Sequence, residues 1–174
     1  KNIKHIKNWD DFISLTYSHG VFPLVYNTLK IYDSLLPNEK LSYMKKIYMD
    51  IVKENMLMTS ELIKVMNLFE ENSLNAIPFK GPVLSQVAYG DVVSRQYVDL
   101  DILIKVEDIK KIYDLLKFNE FIPNIDEKFI DNKLFLEKNS DITFVNKKNN
   151  ISIEIHWKLF RNKFSSIINK KIRL

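Results

Sequence analysis

The sequence predicts an α+β chain, with an N-terminal helical part built around a long helix and a small mixed sheet after it. Two observations predict this. Up to about Asn75, apolar residues recur three and four apart; beyond it they alternate in short runs of period two. The balance of 46% hydrophobic and 28% charged residues is that of an ordinary globular protein, long enough at 174 residues for a full core. Residues 1–75 are expected to form the helical region and 76–174 the mixed core.

Residues 9–19 read as a short helix that Gly20 ends. Residues 21–31 resume it, with Pro23 in the first turn. Pro37 and Asn38 open an amphipathic helix of about 30 residues, roughly 45–50 Å long. Its stripe is Leu41, Met44, Ile47, Tyr48, Ile51, Leu62, Val65 and Phe69, with a slip in phase around Asn55. Met and Tyr on such a stripe are read as core. The short apolar run 76–79 then leads into Lys80-Gly81-Pro82 and a helix over 83–89, ended by Gly90. A strand is expected over 97–104 and a helix over 106–118. Three further strands are expected at 133–137, 141–145 and 151–157, the last two joined as a hairpin across four polar residues, Lys147 to Asn150.

Composition removes several function classes. There is no cysteine, which excludes thiol catalysis and cysteine zinc sites and suits a reducing cytoplasm. The glycines are Gly20, Gly81 and Gly90, too few and too scattered for a GxGxxG or GxxxxGKS/T loop. No window approaches 18 uncharged apolar residues, so no membrane-spanning helix is expected, and residues 1–12 are polar without a signal-peptide core. The net charge of +4 comes from 23 Lys and 3 Arg, and it sits wholly in residues 158–174, which carry 6 basic and no acidic residues. Lys, Ile and Asn together fill 62 positions, a compositional bias that gives nucleic-acid binding only weak support. The ends look cut: Lys1 is not an initiator Met, and Phe164, Ile167, Ile168 and Ile172 keep helical spacing with no stop before the C-terminus.

The chemistry concentrates in Val98-Asp99-Leu100-Asp101-Ile102-Leu103-Ile104. On a strand, Asp99 and Asp101 share one face, about 7 Å apart, while Leu100, Ile102 and Ile104 take the other. Two like charges on one apolar strand call for a proton, a basic partner or a hard cation such as Mg²⁺, unless the strand simply faces solvent. The segment 151–157 repeats the pattern: Ser152, Glu154 and His156 on one face, Ile151, Ile153, Ile155 and Trp157 on the other. Beside the first strand, Glu154 would complete a three-carboxylate cluster able to hold two metal ions; alone it is an exposed strand acid. His156 alone reads more readily as a hydrogen-bonded structural residue than as a ligand. Lys80-Gly81 is either an ordinary turn or a place where backbone and a point charge approach a phosphate. Arg95 is suited to pairing with an acid or to clamping a phosphate.

Taken in order, these segments resemble the polymerase-β-type nucleotidyltransferase superfamily, and within it the bacterial uncharacterised nucleotidyltransferase family. The family's LKGP-like turn corresponds to Phe79-Lys80-Gly81-Pro82. Its R-x₃-DxD segment corresponds to Arg95-Gln96-Tyr97-Val98-Asp99-Leu100-Asp101, and its EHHW-like strand to Ile153-Glu154-Ile155-His156-Trp157. Its HGV-x-PLLY region resembles His19-Gly20-Val21-Phe22-Pro23-Leu24-Val25-Tyr26, so the likeness covers about residues 19–160.

The resemblance implies a small mixed-sheet nucleotidyltransferase core, with Mg²⁺ ligated by Asp99, Asp101 and Glu154 and two ions accommodated. An NTP would be the substrate, lying against the Gly81 turn, with Lys80, Gly81, Ser85, Arg95 and His156 on the nucleotide side of the site. It also implies transfer of a nucleoside monophosphate to an acceptor hydroxyl that the sequence does not identify, as it does not identify the oligomeric state. Superfamily members usually carry Gly-Ser or Gly-Gly at the turn. Here Pro82 follows Gly81 and donates no N–H, so phosphate contacts fall to Lys80 or Ser85. The same departure supports the alternative of a degenerate module that binds nucleotide or a protein partner without turnover. Replacing Asp101 by Asn is expected to abolish turnover, and by relieving repulsion to leave metal-free stability unchanged or slightly raised.

Overall fold

The computed structural model describes residues 3–159. The basic stretch beyond Leu159, with its helical spacing at Phe164, Ile167, Ile168 and Ile172, lies outside them. In chain order the described elements are α1 Trp9–Ser18, α2 Phe22–Leu29, α3 Asn38–Glu71, β1 Ala76–Pro78, α4 Gly81–Tyr89, β2 Asp99–Ile104, α5 Ile109–Phe118, β3 Phe121–Pro123, α6 Lys133–Lys138, β4 Asp141–Asn146 and β5 Ser152–His156, with short 3₁₀ turns between. The first described strand begins at Ala76, so helices precede the sheet as the change of period predicts.

The helix ends have local causes. The Asn8 side chain accepts from the backbone N–H groups of Asp10 and Asp11 and caps α1. Gly20 adopts φ 68, which lets the chain reverse between α1 and α2, and Pro23 sits in the first turn of α2. Two readings need correction. The segment expected as a strand at 133–137 is the helix α6. Its Lys-Leu-Phe-Leu-Glu-Lys has no β-branched residue, and Asn132 caps it by accepting from the Phe135 N–H. The short strand β3 was not expected and forms against β4.

Backbone contacts divide the chain into two compact units. The first takes Lys1–Thr59 and Pro82–Tyr97. Its core is Ile13, Phe22, Tyr26, Leu29, Leu36, Met44 and Ile51, with Tyr26 stacked between Phe22 and Tyr48. Met44 is fully buried, so this part of the stripe is core as expected. The slip at Asn55 also has a cause. Asn55 is 2% exposed, and its amide donates to the carbonyls of Val92 (3.2 Å) and Arg95 (2.8 Å). Tyr97 Oη, 3.2 Å from Thr59 Oγ1, lies 3.1 Å from the Asn55 carbonyl. A polar residue thus interrupts the apolar stripe to satisfy a loop that has no ladder of its own.

The second unit takes Ser60–Gly81 and Val98–Leu174 and contains the sheet. Strand order is β1-β2-β5-β4-β3. The β2–β5 pair is parallel and the other three pairs are antiparallel. The register places Leu100, Ile102, Ile104, Ile142, Phe144, Ile153 and Ile155 on one face, all at or below 1% exposure. α5 packs there through Tyr113, whose ring meets Phe144 edge-on, and α3 reaches the same face where Asn146 donates to buried Glu61. Asn149 also donates to Glu61, at 3.0 Å, which ties the β4–β5 turn to the helix. The opposite face carries the acids. No described helix is long and apolar enough to cross a membrane.

Replacing Asn55 by Ala should lower stability by about 1–3 kcal/mol, because the half-buried Arg95 carbonyl loses its side-chain donor and the Val92 carbonyl is left with the Tyr97 hydroxyl alone. Urea unfolding should show a lower midpoint with an unchanged slope. A loss under about 0.5 kcal/mol would mean that the bonds are dispensable.

Candidate functional site

The site is built by the parallel pairing of β2 and β5. Asp99 lies opposite Ser152, Asp101 opposite Glu154, and Leu103 opposite His156. In a sheet, paired residues share a face, so Asp99, Asp101, Glu154 and His156 all project to the side away from the apolar layer. That layer fixes the assignment, since a slip of one residue would bury the acids and expose the isoleucines. β1 supplies the fourth side. Beyond Pro78, the Phe79 N–H still donates to the Asp101 carbonyl at 3.2 Å, which continues the β1–β2 pairing by one bond and sets Lys80 beside Asp101.

Asp101 is the centre of the group. It is 2% exposed. Its Oδ1 accepts from Lys80 Nζ at 2.6 Å and lies 3.0 Å from His156 Nε2. The same Nε2 stands 3.2 Å from Glu154 Oε2. The imidazole is held from the side by the Phe79 ring, edge-on at 5.2 Å between centroids. The residue after His156 is anchored as well: the Trp157 indole N–H donates to the Leu136 carbonyl at 2.9 Å.

The acids differ in electrostatic state. Burial, and then the charge of Asp101, push the Asp99 carboxyl above the usual range. Burial, and then the charge of Asp99, do the same to Glu154. Burial also pushes Asp101 up, but the hydrogen bonds from His156 and Lys80 outweigh it and hold this carboxyl below the usual range. Burial lowers Lys80, yet its bond to Asp101 and the surrounding carboxylates leave it raised on balance.

Among the described residues, Asp101, Glu154 and His156 each place one ligand atom within 4.8 Å of the others. Asp99 shares the face but not this compact group. Asp101 Oδ2 is buried and has no hydrogen-bond partner, which is costly unless a cation or proton comes to it. An unpartnered oxygen, two carboxyls under like-charge repulsion and a set of oxygen donors fit a divalent cation.

The remaining expected residues stand as follows. Gly81 has φ 49, a conformation that suits glycine at the start of α4. Ser85 and Arg95 belong to the first unit. Ser85 is fully buried, and its hydroxyl donates to the Asp91 carbonyl at 2.7 Å. Arg95 keeps a buried Nη1 without a hydrogen-bond partner. The Lys80–Asp101 pair is what the sequence reading missed, because nothing in the local sequence shows which acid a loop lysine will meet.

The pair also reverses one expectation. Asp101 is stabilised by its partners, so Asp101→Asn should lower metal-free stability at about pH 7. The depressed carboxyl contributes stability above the ordinary Asp range and loses it as pH falls through its folded value. Glu154 works with the opposite sign. Its raised carboxyl takes up a proton more readily in the folded protein, so its charge costs stability increasingly as pH rises from the ordinary Glu value to the folded one. Glu154→Gln should therefore be more stable than the parent at about pH 7, with the gain vanishing near pH 4. Urea midpoints measured with EDTA at both pH values check this; a gain that persists in acid would contradict it.

Comparison with known proteins agrees with the ordered motifs. The model of the family described as uncharacterised nucleotidyltransferase matches residues 6–172, which take in every helix and strand described above. No curated protein and no solved structure matches the chain. The family match carries a nucleotidyltransferase-type activity and a nucleotide substrate. With the match extending over nearly its whole length, the chain belongs to the uncharacterised nucleotidyltransferase family.

Proposed function

We propose that the protein moves a nucleoside monophosphate from an NTP to an acceptor hydroxyl, with Mg²⁺ held by Asp99, Asp101 and Glu154. The observation that carries this reading is the β2–β5 register, which sets Asp101 beside Glu154 and leaves Asp101 Oδ2 buried without a partner. A divalent cation there would supply Lewis-acid stabilisation of the charge on the transferring phosphoryl group.

The chain's own groups have separable tasks. Glu154 lies 3.2 Å from His156 and has its carboxyl pushed up, closer to the acidity of a useful general base. It would accept the acceptor's hydroxyl proton while the hydroxyl oxygen attacks the α-phosphorus and the bond to pyrophosphate breaks. Lys80, about half exposed, carries a point charge beside the Gly81 turn and would meet the phosphates there.

A second reading rests on the turn. Pro82 offers no N–H and the Ser85 hydroxyl is already donated to Asp91, so two groups that would hold phosphate are missing or engaged. On that reading the chain binds nucleotide, or a protein partner, without turnover.

Calorimetric titration with each NTP, with and without Mg²⁺, tests binding, and mass spectrometry of the incubated mixture for a nucleotidylated product tests transfer. Mg²⁺-dependent binding with a product is expected. Binding without product under every acceptor tried would favour the second reading. Asp101→Asn should give no product, and Glu154→Gln should lose about 10²–10⁴-fold in rate, as for removal of a positioned base. Full activity in either variant would remove that residue from the mechanism.

A further inference from the structure

The most compact group of ligand atoms described on this face differs from the all-carboxylate set that the resemblance implies. The compact group contains His156 in place of Asp99. Its Nε2 lies between two carboxylate oxygens, 3.0 Å from Asp101 Oδ1 and 3.2 Å from Glu154 Oε2. Neighbouring ligands on an octahedral cation, with bonds of about 2.1 Å, stand about 3.0 Å apart. The free protein therefore already holds the His156 nitrogen at adjacent-ligand spacing from one oxygen of each carboxylate. The ring is 8% exposed and is fixed by Phe79 and by its position at the end of β5, so it offers this nitrogen from a rigid element.

We propose that His156 Nε2 is a metal ligand together with Asp101 and Glu154, and that this mixed set makes the site favour Mn²⁺ over Mg²⁺. The proposal rests on the metal-dependent reading above, keeps its Asp101 and Glu154, and puts His156 in the place given there to Asp99. Mg²⁺ strongly prefers oxygen and gives up water reluctantly. Imidazole is a ligand of the first-row transition ions, whose affinities for mixed nitrogen–oxygen sites are separated from Mg²⁺ by ligand softness. Asp101 Oδ2, buried and unpartnered, supplies an oxygen that no protein hydrogen bond competes for. Lys80 can stay on Oδ1 or turn outward through its half-exposed side chain. A His156 that ligates through Nε2 would carry its proton on Nδ1 and turn the Nε2 lone pair toward the cation.

The test needs no nucleotide and no activity. Mn²⁺ is titrated into the full chain by the loss of its free electron paramagnetic resonance signal, and Mg²⁺ by competition against bound Mn²⁺. The parent should bind Mn²⁺ at least about 10-fold more tightly than Mg²⁺. His156→Gln retains an amide that can hydrogen-bond both carboxylates, but it lacks the imidazole nitrogen. It should lose about 10–100-fold in Mn²⁺ affinity, with a much smaller change for Mg²⁺. Glu154→Gln should weaken both ions. A variant that keeps the parent's Mn²⁺ preference after His156→Gln, while Glu154→Gln weakens both ions, overturns the proposal and leaves the metal-dependent reading standing. Glu154→Gln without effect on either ion overturns both. Pulsed resonance of Mn²⁺ bound to parent protein with ¹⁵N-labelled histidine gives a check that does not depend on a variant folding: a nitrogen coupling supports the proposal, and its absence overturns it.

Discussion

The parallel pairing of β2 with β5 is the constraint on which the rest of the site depends. It brings together residues more than fifty positions apart, with Asp101 directly opposite Glu154. The pairing is enforced by the far side of the sheet, where Leu100, Ile102, Ile153 and Ile155 are fully buried. The acids are therefore not placed by attraction to one another, which is repulsive, but by the apolar residues that alternate with them. Burial of the isoleucine face provides the favourable free energy against which the site's electrostatic cost is set.

That cost is distributed unevenly. Asp101, the most buried acid of the site, takes the two nitrogen partners, and its ionised form is favoured. Asp99 and Glu154 are left with more repulsion than compensation, and both carboxyls are pushed up. Lys80, from outside the strands, forms a salt bridge with Asp101 of this face. Two under-compensated acids, and a third that keeps one buried oxygen unpartnered, are the features whose cost a bound cation would relieve.

Much of this was legible in the sequence, for physical reasons. Strand periodicity alone assigns Asp99 and Asp101 to one face and Glu154 and His156 to one face, because Cβ direction alternates strictly along a strand. The hairpin between β4 and β5 was legible from Lys147 to Asn150, and the break at Asn55 was visible as a slip in the helical stripe. What periodicity could not supply was pairing. Nothing in Lys80 itself indicates that it meets Asp101, and the consequence, a stabilised rather than repelled Asp101, was lost with it. Nor does a strand pattern show that His156 Nε2 comes within 3.0 Å of Asp101 Oδ1, since that follows from the register between two strands. Short segments were the other weakness: at 133–137 a five-residue apolar pattern fits either period, and the cap at Asn132 decides for helix.

The central claim is that the face bearing Asp101 and Glu154 binds a divalent cation and an NTP together. It is tested most directly by a crystal structure of the protein with Mn²⁺ and a non-hydrolysable NTP, recorded with anomalous scattering at the manganese edge. The account predicts a manganese peak at coordination distance from Asp101 and Glu154, with the triphosphate against Lys80 and Gly81. A nucleotide bound elsewhere, or a manganese peak away from this face with Asp101 Oδ2 still unpartnered, would contradict it.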